Sequence, residues 1–223
     1  MRVFKKQIAS SFDKGCSSYD SYSKLQQKVL KELLYFFLDE LSDNKNQKTV
    51  LELGCGTGES YNILSKKLCL KKIHLLDISK KMIEKSKEKI SDTRANFYQK
   101  DFDTLKDFGG FDLILSNMSI HWSGDILKLF KRIVNTINKD SFLVISFPNS
   151  KSFNNLEKHQ RNFINNFPVT SDLIEILDNK KFLFKLQEKI HSQKFKNFFE
   201  LLKNLKLTGT NVSNREIQDP KKI

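Results

Sequence analysis

The chain has 223 residues, 39% of them hydrophobic and 11% aromatic, which is enough for one full-sized α/β domain with a sizeable core and too few for two. No run of about 18 apolar residues occurs, which excludes a hydrophobic membrane-spanning helix. The basic N-terminus, MRVFKKQIASSFDK, has no apolar stretch after it, so the chain is expected to stay in the cytoplasm. The net charge of +13 suits nucleic acid, an anionic surface or an acidic protein, and equally a lysine-rich composition with no partner at all.

The first forty residues read as helical: Leu25, Val29, Leu33, Phe36 and Phe37 recur near helical spacing, and Gly15 is expected to separate a short first helix from a longer second one. A polar loop at 43–48 leads into a short apolar strand at 49–53 that closes on glycines. Residues 61–69 are amphipathic and helical. Strands are expected at 73–78, 95–98, 111–115 and 142–147, with helices at 80–90 and 125–137 between them. Strands alternating with helices of this length predict βαβ units, a parallel sheet and a doubly wound α/β fold. Residues 149–179 are polar and irregular, with the character of a helical insertion. Alternation at 182–195 predicts a further strand, 198–207 a helix, and 208–223 a loose tail. One domain is expected, made of an N-terminal helical lid (1–45), a cofactor-binding core (46–148), an insertion (149–181) and a C-terminal part (182–223). Cys16, Cys55 and Cys69 sit far apart without metal-ligand spacing, as free reduced thiols would.

The sharpest motif is VLELGCGTG, residues 50–58, which follows a strand and opens a helix. A dinucleotide fingerprint would place its third glycine at position 59, where this chain has Glu59. The turn instead carries Gly54, Gly56 and Gly58 around Cys55, with Glu52 just before them. That carboxylate would repel a pyrophosphate and suits a ligand bearing an ammonium, such as the methionine end of S-adenosylmethionine. Asp77 and Ile78 end the next strand, at about the distance a ribose-binding carboxylate needs. Asp101 and Phe102 follow the third strand, where a carboxylate can accept from an adenine amino group and an aromatic ring can pack on the base. Each feature alone has a plain reading: a tight turn, a helix N-cap, a solvated loop acid. In order and at neighbouring strand ends, they resemble the class I S-adenosylmethionine-dependent methyltransferases.

The chain further resembles the malonyl-acyl-carrier-protein O-methyltransferases of biotin synthesis. Residues 8–26, IASSFDKGCSSYDSYSKLQ, are similar to that family's N-terminal lid. FDLILSNMSIHW (111–122) is similar to its fourth strand, with Asn117 and Trp122 in register, and FFELLKNLKLTGTN (198–211) to its late helix and turn. The resemblance implies methyl transfer to the free carboxylate of a malonyl thioester on acyl carrier protein, with S-adenosylmethionine as cofactor. Tyr19 and Tyr22 would close over the site, and Asn117, His121 and Trp122 would lie around it. Asn117 would also meet the cofactor, and His121 would line the pocket or support it rather than act as a base. Where the family carries an arginine in Asn-Arg-Phe, this chain reads Asn165-Asn166-Phe167, so Arg161 is the expected substitute cation. Lys185, Lys189, Lys194, Lys196, Lys203 and Lys206 are expected to help dock the carrier protein. The tail does not read as a buried strand, which leaves open a sheet without the family's last antiparallel strand. Two alternatives remain at this stage: a class I methyltransferase of another small metabolite or of RNA, and a non-catalytic partner that keeps the fold. An N/D-P-P-Y/F motif for amino-group methylation is replaced by Asn117-Met118-Ser119-Ile120, and nothing in the chain reads as a nucleic-acid module.

Overall fold

The structure, a computed structural model, describes residues 2–38 and 46–213. Two helices, α1 (Arg2–Tyr22) and α2 (Lys24–Leu38), precede the alternating part: β1 (Lys48–Leu53), α3 (Glu59–Lys67), β2 (Leu70–Asp77), α4 (Lys80–Lys89), β3 (Ala95–Gln99), β4 (Leu113–Asn117), α5 (Ile126–Thr136) and β5 (Phe142–Ser146). Then come the short α6 (Lys158–Arg161), α7 (Thr170–Asn179) and α8 (Phe198–Leu207). The five strands are parallel and ordered β3-β2-β1-β4-β5. The winding direction reverses between β1 and β4, and a crevice opens there beyond the carboxyl ends of the strands.

Side-chain alternation along the strands divides the core. In β1, Val50 joins Leu30 and Leu34 of α2 and Leu64 of α3, while Leu51 and Leu53 join Ile8 of α1, Leu129 and Phe130 of α5 and Leu173 of α7. Glu52 shares the register of Val50, so the period of two turns its carboxylate toward the α2 and α3 face.

Two expectations are corrected. Gly15 does not break the first helix: α1 runs through it and the break falls at Ser23. A Cβ at Gly15 would lie 2.5 Å from the Gly209 nitrogen, so the glycine marks a close crossing of α1 over the turn after α8. The strand expected at 182–195 is absent, and the segment is held by side chains instead of a ladder. Glu188 accepts from Asn149 and pairs with Lys151 at 3.0 Å, and Lys189 pairs with Glu32 on α2 at 3.1 Å. The sheet therefore has five strands among the described residues and not six, with β5 at its edge and Phe142 exposed. Residues 214–223 of the expected loose tail, and residues 43–45 of the 43–48 loop, lie outside the described residues.

Candidate functional site

The turn from β1 to α3 is held open by its backbone. The Gly54 and Cys55 N–H groups donate to the Leu76 carbonyl, both at 2.8 Å, which ties the turn to the end of β2. Gly54 has a φ of 74°, and a Cβ there would strike the Ser119 hydroxyl. Gly56, with a φ of 54°, presents its bare α-carbon toward the ring of Tyr19 on α1. Gly58 caps α3 and packs against Ser86 and Ile90 of α4.

Asp77 stands at the carboxyl end of β2, where one oxygen accepts from the Gly56 N–H at 2.9 Å and the other from the Ser79 N–H at 2.8 Å. Burial pushes its carboxyl up to about 6, against those hydrogen bonds, which pull it down. Glu52 is more enclosed: burial pushes it up to about 8, opposed by a hydrogen bond from the Ser60 hydroxyl. A carboxylate left this deep without a fixed cation is costly, and a cationic ligand would relieve it. Asp101 caps the short 3-10 turn of residues 102–104 and lies beside the buried ring of Phe102.

These groups surround one crevice, lined by Tyr19, Gly54, Gly56, Asp77, Ile78, Asp101, Phe102, Asn117 and Trp122 among others. A second lobe shares Tyr19, Gly54, Gly56 and Asn117, and adds Glu52, Cys55 and Thr57. At the end of β4, the Asn117 side chain donates to the Gln26 carbonyl of α2 at 3.1 Å and accepts from Ser146 Oγ of β5 at 2.8 Å. The Tyr19 phenol is pushed far above its ordinary range, first by burial and then by Asp77, so it stays neutral.

Helix α1 closes the crevice and is tied down at several points. Asp13 accepts from Ser79 Oγ at 2.6 Å and from the Lys81 N–H at 3.0 Å. Asp20 accepts from Thr57 Oγ1 at 2.6 Å and pairs with Lys85 and Lys89 of α4 at 2.9 and 2.7 Å.

Of the residues expected from the sequence, three fall outside both lobes. Tyr22 is 44% exposed at the end of α1 and does not close over the site. Gly58 serves the turn rather than its opening. His121 lies behind Trp122, against Phe167, with its Nδ1 enclosed and unpartnered; burial pushes it down to about 3, so it is neutral. Arg161 is likewise elsewhere, donating to the Leu156 and Asn154 carbonyls. Sequence reasoning missed Lys5, which lines the crevice from α1. The spacing of Lys5, Ile8, Phe12 and Tyr19 puts them on one helix face, and that signal could have found it.

Residues 44–209 match the family described as a methyltransferase domain. The chain belongs to that family. This methyltransferase is S-adenosylmethionine-dependent. It is 28% identical, over 94% of its length and 79% of the relative's, to malonyl-[acyl-carrier protein] O-methyltransferase 1 of Ilyobacter polytropus. It is 26% identical, over 93% of its length and 82% of the relative's, to malonyl-[acyl-carrier protein] O-methyltransferase 2 of Coxiella burnetii. Among solved structures, a chain of the complex between the Haloferax volcanii Trm112 methyltransferase activator and a methyltransferase matches with a TM-score of 0.67 and 14% identity. That match covers 91% of this chain and 93% of the other. The YcgJ protein of Bacillus subtilis matches with a TM-score of 0.55 and 15% identity, over 67% and 68%. At these identities the two structures speak for the fold alone. Among the described residues, no helix is long and apolar enough to cross a membrane.

Proposed function

We propose that the protein transfers a methyl group from S-adenosylmethionine to the free carboxylate of a malonyl thioester carried on acyl carrier protein, in the cytoplasm. The observation that carries this reading is the convergence of three stretches far apart in sequence. The N-terminal, Asn117-to-Trp122 and C-terminal stretches that resemble the malonyl-carrier-protein enzymes meet over one crevice. Gly15 packs on Gly209, Ser18 Oγ donates to the Leu207 carbonyl at 2.7 Å, Ser11 Oγ donates to Asn211 at 2.6 Å, and Asn117 reaches Gln26. The relatives bearing that activity in their names align along nearly the whole chain.

S-adenosylmethionine supplies an electrophilic methyl group on a sulfonium. In this reading Glu52 takes the ammonium, Asp77 keeps lone pairs for the ribose hydroxyls, and Asp101 with Phe102 takes the adenine. The bare backbone at Gly56 lets the chain approach closely. An acceptor carboxylate is ionised above pH of about 4, so no general base is needed, and among the described residues no histidine lines either lobe. Tyr19, Trp122 and α1 would then supply orientation and exclusion of water. The test is direct: purified protein, malonyl-carrier protein and S-adenosylmethionine should give a methyl ester, seen as a mass gain of one methylene. Growth of a biotin auxotroph lacking this step should be restored. Cofactor binding without ester formation would refute the substrate assignment.

A further inference from the structure

Lys5 is buried, 9% exposed, and among the described residues is the only cationic side chain that lines the crevice. Its ammonium donates to Asp101 Oδ1 at 3.0 Å, pairs with Asp103 Oδ2 at 2.7 Å, and lies 4.8 Å from the centroid of the Phe102 ring. A lysine rarely enters a core without such partners, because burying an unpaired ammonium is costly. The Asp101 Oδ1 atom also accepts from the Asp103 N–H at 3.0 Å. One oxygen of Asp101 is thus held by two donors, and the other oxygen is left to a ligand in the crevice. Asp103 is itself anchored, accepting from Ser123 Oγ at 2.6 Å and the Gly124 N–H at 2.8 Å, so the ammonium is fixed from both sides.

We propose that Lys5 is a positioning residue for adenine recognition: from α1 it locks Asp101 in the rotamer whose free oxygen accepts from the exocyclic amino group, while its charge covers the Phe102 face. Adenine selectivity then depends on the docked helix, so a lid that is displaced binds the cofactor without reading its base. The proposal rests on Asp101 as the adenine acceptor, and it is independent of what is methylated.

The experiment compares S-adenosylhomocysteine with S-inosylhomocysteine, which presents an oxygen in place of the amino group. Calorimetry on the wild type should favour the adenosyl ligand by roughly ten- to a hundredfold, the range of a charge-assisted hydrogen bond. Lys5→Met keeps the stem over Phe102 and should shrink that ratio several-fold by weakening the adenosyl ligand alone, while Lys5→Arg should restore most of it. In an Asp101→Asn background the ratio should collapse, and adding Lys5→Met should change it no further. Equal weakening of both ligands by Lys5→Met would mean a purely structural helix anchor and would overturn the proposal. Tighter adenosyl binding would also overturn it, since Lys5 would then be occupying the adenine seat. A ratio unchanged by Asp101→Asn would overturn the adenine assignment and this proposal with it, leaving the methyl-acceptor assignment to its own assay.

Discussion

If Glu52 takes the cofactor ammonium, as proposed, cofactor binding becomes a proton-release reaction. With its carboxyl pushed up to about 8, only about one-tenth of the protein carries the ionised form at pH 7. A ligand ammonium needs that form, so binding should expel about 0.9 proton at pH 7. The dissociation constant should fall about tenfold between pH 6 and pH 7, or about 1.4 kcal/mol. Asp77, pushed up to about 6, should steepen the dependence below pH 6. Above about pH 8 the ligand's own amino group loses its proton, so affinity should peak near there. Both folded pKa values are raised, so these carboxyls favour the unliganded fold below about pH 4 and that contribution is lost as pH rises through 6 and 8. The gain in melting temperature from the cofactor should therefore grow from pH 6 to pH 8. Isothermal titration in buffers of different ionisation enthalpy measures the proton directly. Glu52→Gln mimics the protonated carboxyl, so it should bind like wild type at pH 6 and at least tenfold more weakly at pH 8. A flat dissociation constant from pH 6 to 7.5, with heats independent of buffer, would refute the reasoning.

Asp77→Ala should weaken S-adenosylmethionine binding by about 1.5–3 kcal/mol, the value of a charge-assisted hydrogen bond, and unchanged affinity by calorimetry would remove the ribose assignment. Gly15→Ala gains about 1 kcal/mol of helix propensity but forces a Cβ to within 2.5 Å of the Gly209 backbone, and overpacking against backbone costs about 1–3 kcal/mol. The expected result is faster proteolysis of α1 and reduced turnover with the sheet still folded; a more stable, fully active variant would contradict the close crossing. Lys194, Lys196, Lys203 and Lys206 are exposed, whereas Lys189 is paired with Glu32. If the exposed four help dock an acidic carrier protein, kcat/KM for malonyl-carrier protein should fall steeply with salt, and less so for malonyl-coenzyme A, since complementary charge mainly raises the association rate and is screened over about 8 Å. Equal salt dependence for both substrates would return those lysines to the solvent.

The glycine turn and the gathering of acids around one crevice were legible because their signals are local. A glycine loop between strand and helix, and acids at successive strand ends, constrain the backbone whatever surrounds them. What failed depends on distant partners. Gly15 gives the same signal for a helix break and for a close backbone approach, and only the position of Gly209, 194 residues on, separates the two. The alternation at 182–195 is real, but a strand needs a neighbour with free N–H and C=O groups, and side-chain ties to α2 and to Asn149 and Lys151 hold this segment apart from any ladder. Lys5 looks like one more solvated lysine in a chain with 39 Lys and Arg, because its partner Asp101 is 96 residues away.

The carboxylates also bear on the proposed chemistry. Glu52, Asp77 and Asp101 face a crevice whose only cation among the described residues is Lys5, already engaged by Asp101 and Asp103. A malonyl carboxylate entering such a crevice alone would meet like charge in a medium that screens it poorly. In the proposed reading Glu52, Asp77 and Asp101 would hold a cofactor bearing an ammonium and a sulfonium, whose positive charge would offset theirs and favour entry of an acidic acceptor. A base would add nothing to this scheme, which is why a neutral His121 behind Trp122 is compatible with activity.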